Sequence, residues 1–168
     1  MGSNLAFASG SYVTGNSQMF KGVESFVKVS QTLAFDSFTG DFGANVNNTF
    51  SRFVASGSNI SFTGSRVVLS SISSWKIEVG SDDAELVLDH GRNSFKNDSL
   101  EITLAKDAEP DADGWDVIAG AADTLRGWNS LSSVTLCGET AEYADGEWTS
   151  YSYRLFKEGN TLKLATIA

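Results

Sequence analysis

Apolar residues recur at every second position along much of this chain, in short runs that end at Gly, Asn or Asp. The clearest runs contain Trp75, Ile77, Val79, Leu86, Leu88, Leu100, Ile102, Leu104, Val134, Leu136, Leu162 and Leu164. A period of two places alternate side chains on one face of a β-strand, so that one face is buried and the other is wetted. The pattern therefore predicts an all-β protein.

The predicted strands are short and are separated by Gly, Ser and Asn at fairly regular intervals. This rhythm is typical of a β-solenoid, a sandwich or a barrel. We predict a right-handed β-solenoid that ends in an antiparallel strand meander, and a β-sandwich is the alternative. No exact repeat can be aligned along the chain, which is an objection to the solenoid.

The alternating rhythm stops at an acidic segment that contains Pro110, the single proline of the chain. We therefore predict three parts. Residues 1–106 form the solenoid-like or sandwich region, residues 107–114 form an acidic linker, and residues 115–168 form a terminal β-strand module.

Two stretches are less clear. Apolar residues in 38–54 recur at helical spacing, but Gly and Asn fill the positions between them and weaken a helix, so we expect a turn-rich connection or a short, strained helix. After the acidic segment we expect a strand at 115–119 and a loop or helical turn at 121–130. Asp145-Gly146 and residues 158–160 are typical of hairpin turns, which need residues that tolerate a positive φ.

The charge of the chain argues against binding to nucleic acid. The net charge is −9, and residues 81–168 contain seventeen Asp or Glu against seven Lys or Arg. Such an acidic half repels a phosphate backbone, whereas nucleic-acid binders cluster Lys and Arg. No apolar stretch approaches the ~20 residues of a membrane helix, so we expect no membrane insertion. The polar, largely uncharged surface is typical of an extracellular protein.

Three segments in the last third of the chain carry a resemblance to a known class of proteins. They are WDVIAG at 115–120, SVTLCG at 133–138 and YRLFKEGNTLKL at 153–164. Together they resemble the closing strand module of large, repetitive bacterial surface proteins, such as autotransporter-like passengers and adhesins. The resemblance covers about 50 residues and rests on the pattern Y-x-L-x-K-x-G-x-x-L-x-L. It implies export, a long β-helical shaft, and adhesion or display at the cell surface.

Catalytic signatures are absent from the sequence. His90 is the only histidine, and no serine stands in a G-x-S-x-G turn that would make it a nucleophile. Cys137 is the only cysteine and is interpreted as a small strand residue. Neighbouring carboxylates such as Asp82, Asp83 and Glu85 are expected by chance in an acidic half. We therefore expect no enzyme, although a fragment of a polysaccharide-degrading enzyme remains an alternative.

The acidic segment offers the hard oxygen ligands that Ca²⁺ prefers. Asp111, Asp113 and Asp116 stand close together beside a glycine. The run does not follow the twelve-residue EF-hand loop, and a plain, solvated acidic linker is the other interpretation. Calcium is thus the one cofactor that the sequence suggests.

Aromatic residues crowd the predicted strands near the C-terminus. Trp148, Tyr143, Tyr151 and Tyr153 are candidates to stack on a sugar ring. In a single strand at 148–156, Tyr151 and Tyr153 would share a face with Leu155, and Trp148 would lie on the opposite face.

The sequence thus predicts a non-enzymatic structural or adhesive module of a large bacterial cell-surface protein. Its expected partner is an extracellular glycan or another surface protein. A carbohydrate-binding β-sandwich is the alternative function.

Overall fold

The computed structural model describes residues 5–7, 32–36, 39–42, 46–47, 51–62, 67–68, 72–81, 86–88, 94–120 and 125–167. These residues form an all-β structure with almost no helix, which confirms the all-β part of the predicted fold class. The strands are β1 Leu5–Phe7, β2 Thr32–Asp36, β3 Thr39–Phe42, β4 Val46–Asn47, β5 Arg52–Ser56, β6 Asn59–Phe62, β7 Val67–Val68, β8 Ser74–Val79, β9 Leu86–Leu88, β10 Ser99–Leu104, β11 Trp115–Gly120, β12 Ser133–Leu136, β13 Glu139–Ala144, β14 Glu147–Thr149, β15 Tyr153–Glu158 and β16 Thr161–Thr166. A short 3₁₀ helix spans Trp128–Ser130.

The first ladder of strands is parallel and contains β1, β2, β5, β8, β10 and β12 in that order. Alternate residues of each strand point into the core, because the side chains of a strand alternate between its two faces. One buried row contains Leu33, Phe53, Trp75, Leu100 and Val134, which are directly opposite one another on successive strands. A second buried row contains Phe35, Ala55, Ile77, Ile102 and Leu136.

Two further ladders are built from the strands that lie between these in the sequence. The second ladder is parallel over β3, β6, β9 and β11, and a separate pair joins β4 to β7. Buried Ile60, Leu86 and Ile118 lie in register along the second ladder. These side chains and the two rows of the first ladder belong to a single hydrophobic core.

The last five strands pair in a different way. Consecutive strands from β12 to β16 are antiparallel, and β16 then pairs antiparallel with β11. These strands therefore connect the end of the first ladder to the end of the second. The result is one continuous sheet of fourteen strands, with the β4–β7 pair separate from it.

Aromatic rings fill the middle of the core. The ring centroids of Phe35 and Phe53 are 5.6 Å apart, those of Phe53 and Trp75 are 5.2 Å apart, and those of Trp75 and Phe95 are 5.0 Å apart. All three pairs are tilted, an arrangement that suits the ring quadrupoles better than face-to-face stacking. The stack holds successive strands of the first ladder together through their side chains.

Several local predictions can be checked against the strands. The strand expected at 115–119 is confirmed as β11, and the turns at Asp145-Gly146 and at Gly159 are confirmed by positive φ angles of 53°, 91° and 58°. The helical interpretation of 38–54 is wrong, because the described residues of this stretch are in β3, β4 and β5 apart from a bend at Ser51. Within the described ranges, no helix is long and apolar enough to cross a membrane.

Cys137 is not the strand residue that the sequence predicts. It follows β12 in a two-residue turn with Gly138, and both residues have positive φ, at 52° and 84°. The alternation of Val134 and Leu136 with their neighbours extends to Cys137, although the strand ends at Leu136, so the period of two alone does not mark the end of the strand. Glycine after Cys137 is the signal that would have marked it.

Candidate functional site

The candidate aromatic residues do not form one open platform. Trp148 on β14 is only 7% exposed, and its indole N–H donates a hydrogen bond of 2.9 Å to the carbonyl oxygen of Trp128. Tyr143 lies between these two tryptophans, with ring centroids 5.8 Å from Trp128 and 5.3 Å from Trp148, and is 39% exposed. These three rings therefore pack on one another, and Trp148 also belongs to the hydrophobic core.

The other two tyrosines lie at and after a bend that the sequence did not reveal. The single strand expected at 148–156 is wrong, because residues 150–152 separate β14 from β15. The two strands pair so that Trp148 is opposite Leu155, and both are buried on the same face, not on opposite faces. Tyr151 is at the bend and is 92% exposed, whereas Tyr153 is half-buried against the core.

Glu139 holds this bend in place. Its two carboxylate oxygens accept hydrogen bonds of 2.8 Å from the hydroxyls of Ser150 and Ser152 and from the backbone N–H of Ser152. These hydrogen bonds stabilise the charged carboxylate and lower the pKa of Glu139 below its ordinary value. The bond from the Ser150 hydroxyl has the largest effect, followed by the bonds from Ser152. Sequence reasoning missed this contact, since the two serines follow Glu139 only after an intervening hairpin.

The three aspartates proposed as calcium ligands lie along the acidic segment and the start of β11. Asp111 accepts a hydrogen bond of 2.9 Å from the backbone N–H of Gly114, and Asp113 is exposed. Asp116 lies 3.7 Å from the Lys163 ammonium. Among the residues that the structure describes, no three His, Cys, Asp or Glu side chains come together in a group that could hold a metal ion.

The acidic segment 107–114 is attached to the last two strands. The Arg154 guanidinium on β15 donates a hydrogen bond of 3.1 Å to the Ala112 carbonyl and lies 4.2 Å from the centre of the Phe156 ring. Thr166 on β16 donates its hydroxyl to the Pro110 carbonyl at 3.1 Å. The backbone of the segment is thus bound at several points to the sheet beside it.

A buried carboxylate is the most unusual polar feature of the core. Asp98 is only 8% exposed, and its Oδ2 accepts a hydrogen bond of 2.9 Å from the indole N–H of Trp75. Burial disfavours the charged form and raises the pKa of Asp98, and the Trp75 bond opposes that rise only in part. The backbone carbonyl of Asp98 also accepts from the N–H and the hydroxyl of Ser132, at 2.8 and 3.0 Å. Asp98, directly before β10, therefore contacts Trp75 on β8 and Ser132, which directly precedes β12.

The sequence carries no local signal for this role of Asp98. Trp75 is 23 positions away, and an aspartate before a strand is usually an exposed turn residue. Only the parallel pairing of β8 with β10 brings the two side chains together.

The raised pKa of Asp98 predicts a pH-dependent difference between the protein and its Asp98→Asn variant. A carboxyl whose pKa is higher in the folded state than its ordinary 3.8 stabilises the fold at low pH, and this contribution is lost as pH rises through the folded pKa. Asparagine can still accept from Trp75 but does not ionise. We expect the melting temperature of Asp98→Asn, relative to the unaltered protein, to increase from pH 3 to pH 7, as measured by thermal unfolding in a pH series.

Asp98→Ala is the matched control for this series. It removes the charge and also leaves the Trp75 N–H buried without an acceptor, which costs about 1–3 kcal/mol. It should therefore melt below Asp98→Asn at every pH. Parallel melting curves for Asp98→Asn and the unaltered protein would contradict the prediction.

Of the remaining candidates from the sequence, only Cys137 lies among the residues that the structure describes. Burial raises the pKa of the Cys137 thiol to about 11, so this thiol is protonated at neutral pH and is a poor nucleophile. His90 and the acidic group Asp82, Asp83 and Glu85 lie outside the described residues.

Comparisons with known proteins give no relative for this arrangement. No protein-family model, no curated protein and no solved structure matches the chain.

Proposed function

We propose that this chain is a non-enzymatic structural module of a large bacterial cell-surface protein, folded as a right-handed β-solenoid that ends in an antiparallel strand meander. The observation that supports it best is the first ladder, in which β2, β5, β8, β10 and β12 are parallel neighbours although other strands separate them in the sequence. In a solenoid, each turn of the chain adds one strand to each ladder.

The order of the strands agrees with successive turns. The chain visits the first ladder, the second ladder and the β4–β7 pair as β2, β3 and β4, and again as β5, β6 and β7. It then places β8 and β10 on the first ladder, with β9 and β11 on the second. A right-handed path is favoured, because connections between parallel strands of one sheet are right-handed in about 98% of cases.

The unequal length of these turns answers the objection that the sequence has no repeat. Equivalent positions on the first ladder are Thr32, Arg52, Ser74, Ser99 and Ser133. The distance between them along the chain grows from turn to turn, so no fixed period can be aligned. The side chains still stack, because stacking depends on register across the ladder and not on the length of the connections.

The antiparallel strands at the end have a role in this proposal. β13 pairs with β12 and β16 pairs with β11, so that strands of the terminal meander cover the last edge of the first and second ladders. An open edge presents unpaired N–H and C=O groups that recruit strands from other molecules. A capped end suits a rigid module that must stay separate from its neighbours at a crowded surface.

We infer an extracellular location and a role in adhesion or display from the resemblance to surface proteins and from the polar surface. The ladders would make the module stiff. Backbone hydrogen bonds run along the module, and an aromatic stack joins successive turns through Phe35, Phe53, Trp75 and Phe95. Such a module separates and presents whatever is attached to it.

Pulling the chain from both ends in a single-molecule force experiment tests the solenoid. Stacked turns contact mainly their neighbours, so the module should unfold in several steps, each releasing about one turn. The matched variant carries Val54→Cys and Lys76→Cys, at directly opposite positions on β5 and β8. Oxidation should remove the step that contains this turn, and Cys137 should not compete, since its thiol pKa is about 11.

A control pair places the two cysteines at Val54 and Thr135, which are three strands apart and beyond the ~7 Å limit for a disulfide. This pair should not crosslink within one molecule. A single unfolding step that releases the whole chain would favour a cooperative β-sandwich and count against the staged solenoid.

A further inference from the structure

A groove of about 330 Å³ lies on the outer face of the first ladder. It crosses β5, β8, β10 and β12, and one row of its lining contains Arg52, Ser74, Ser99 and Ser133 in register. Neighbouring strands are about 4.8 Å apart, so a row across four strands is about 14 Å long. The groove is thus of ligand-binding size and is elongated across the strands.

The serine hydroxyls of this row have no partner among the described residues, so they are available to a ligand. Those of Ser74, Ser99 and Ser133 make no hydrogen bond to the part of the chain that the structure describes. By contrast, the hydroxyls of Ser58 and Ser132, which lie away from the groove, donate to backbone carbonyls at 2.9 and 3.0 Å. A free hydroxyl both donates and accepts, so a line of them suits a ligand that is itself rich in hydroxyl groups.

The charges along the groove favour a ligand that also carries an acid group. Arg52 is exposed and forms no ion pair with the described residues. Lys76 lines the groove beside it and lies 3.8 Å from Glu101, with both side chains about half exposed. One positive charge is therefore left over, and the planar guanidinium fork binds a carboxylate or similar oxyanion through two parallel hydrogen bonds.

We propose that this groove binds an acidic oligosaccharide, with the acid group on Arg52 and the sugar hydroxyls along Ser74, Ser99 and Ser133. This goes beyond the structural role proposed above. A uronic acid carboxylate and a sulfate ester supply the same anionic chemistry.

Other ligand classes fit the groove less well. Single-stranded nucleic acid needs exposed aromatic rings for its bases, and Trp75, the aromatic residue of the lining, is only 2% exposed. A protein partner would need an apolar centre, whereas serine, threonine and charged side chains make up most of the lining.

Calorimetric titration of the full chain with three hexasaccharides tests the proposal. The probes are hexagalacturonate, sulfated maltohexaose and unmodified maltohexaose, which separate the carboxylate, the sulfate and the neutral sugar. We expect at least one acidic probe to bind and the neutral probe to bind at least tenfold more weakly. Added salt should weaken the acidic interaction, because the guanidinium is exposed to solvent.

Arg52→Gln should weaken binding of the acidic probe about tenfold or more, which is the effect of losing one charge-assisted contact. Arg126→Gln is the matched control, since it removes the same charge from an exposed position that does not line the groove. It should bind like the unaltered protein. Ser99→Ala should weaken binding without changing its dependence on salt. Melting temperatures show whether each variant is folded.

Three results would overturn the proposal: no binding of either acidic probe, equal binding of the neutral probe, or unchanged binding by folded Arg52→Gln. Loss of binding in Tyr151→Ala with no effect of Arg52→Gln would place the sugar at the exposed tyrosine and would also overturn it. Unfolding in steps under force, measured on the same chain, is independent of all these outcomes, so failure of the groove and failure of the solenoid are distinguishable.

Discussion

Trp75→Ala is expected to lower the free energy of unfolding by about 3–5 kcal/mol, the range for truncation of a large buried aromatic side chain. The indole is 2% exposed and lies between the rings of Phe53 and Phe95, at 5.2 and 5.0 Å. Truncation leaves a cavity between successive strands of the first ladder and also leaves the buried Asp98 carboxylate without its donor. Urea unfolding followed by circular dichroism measures the loss.

Two variants separate the causes of this effect. Trp75→Phe keeps an aromatic ring in the stack but removes the N–H, so it should lose only the ~1–3 kcal/mol of an unsatisfied buried polar group and some packing. Trp115→Ala removes the same side chain from a position that is only half-buried, and it should cost less than Trp75→Ala. Equal losses for the two alanine variants would show that the ring stack is not the centre of the core.

Gly127→Ala should be the most destabilising of the single glycine substitutions among the described residues. A Cβ atom at this position would lie 2.5 Å from the backbone nitrogen of Lys96 and 2.8 Å from the hydroxyl of Ser94. The backbone must then separate, and the hydrogen bond of 2.8 Å from the Phe95 N–H to the Arg126 carbonyl is weakened. Overpacking of this kind costs about 1–3 kcal/mol.

Gly146→Ala is the matched control. Both glycines have positive φ, at 80° and 91°, so both substitutions carry the ~1–2 kcal/mol cost of a left-handed conformation. Nothing lies within 4 Å of a Cβ atom at Gly146. The difference in melting temperature between the two variants therefore isolates the close contact at Gly127, and equal melting temperatures would contradict it.

Local sequence patterns predicted the individual strands well where a strand is half-buried. Trp75, Ile77 and Val79 alternate with exposed or half-exposed neighbours in β8, as the period of two requires. The same pattern failed at Cys137, where the alternation runs into a turn. It also failed at 148–156, because a bend held by Glu139 divides the expected strand.

The sequence predicted the candidate sites less well than it predicted the strands. Clusters of similar residues suggested an aromatic platform and a calcium loop, but proximity along the chain does not determine which side chains are free. In the structure Trp148 is bonded to Trp128 and Asp116 lies beside Lys163. The outer groove joins Arg52 to Ser133 across four strands, so no contiguous stretch of sequence contains it.

By itself, the sequence determined that this chain forms short strands with one buried face, because alternation and turn residues act through local backbone geometry. It also determined the net charge of −9, on which the prediction of no nucleic-acid partner rests. The tertiary structure alone decided which strands are neighbours, that Asp98 is buried on Trp75, and that Ser74, Ser99 and Ser133 line up beside Arg52. Those features depend on the register between strands that are distant in sequence, and register is selected by the packing of side chains across the whole ladder.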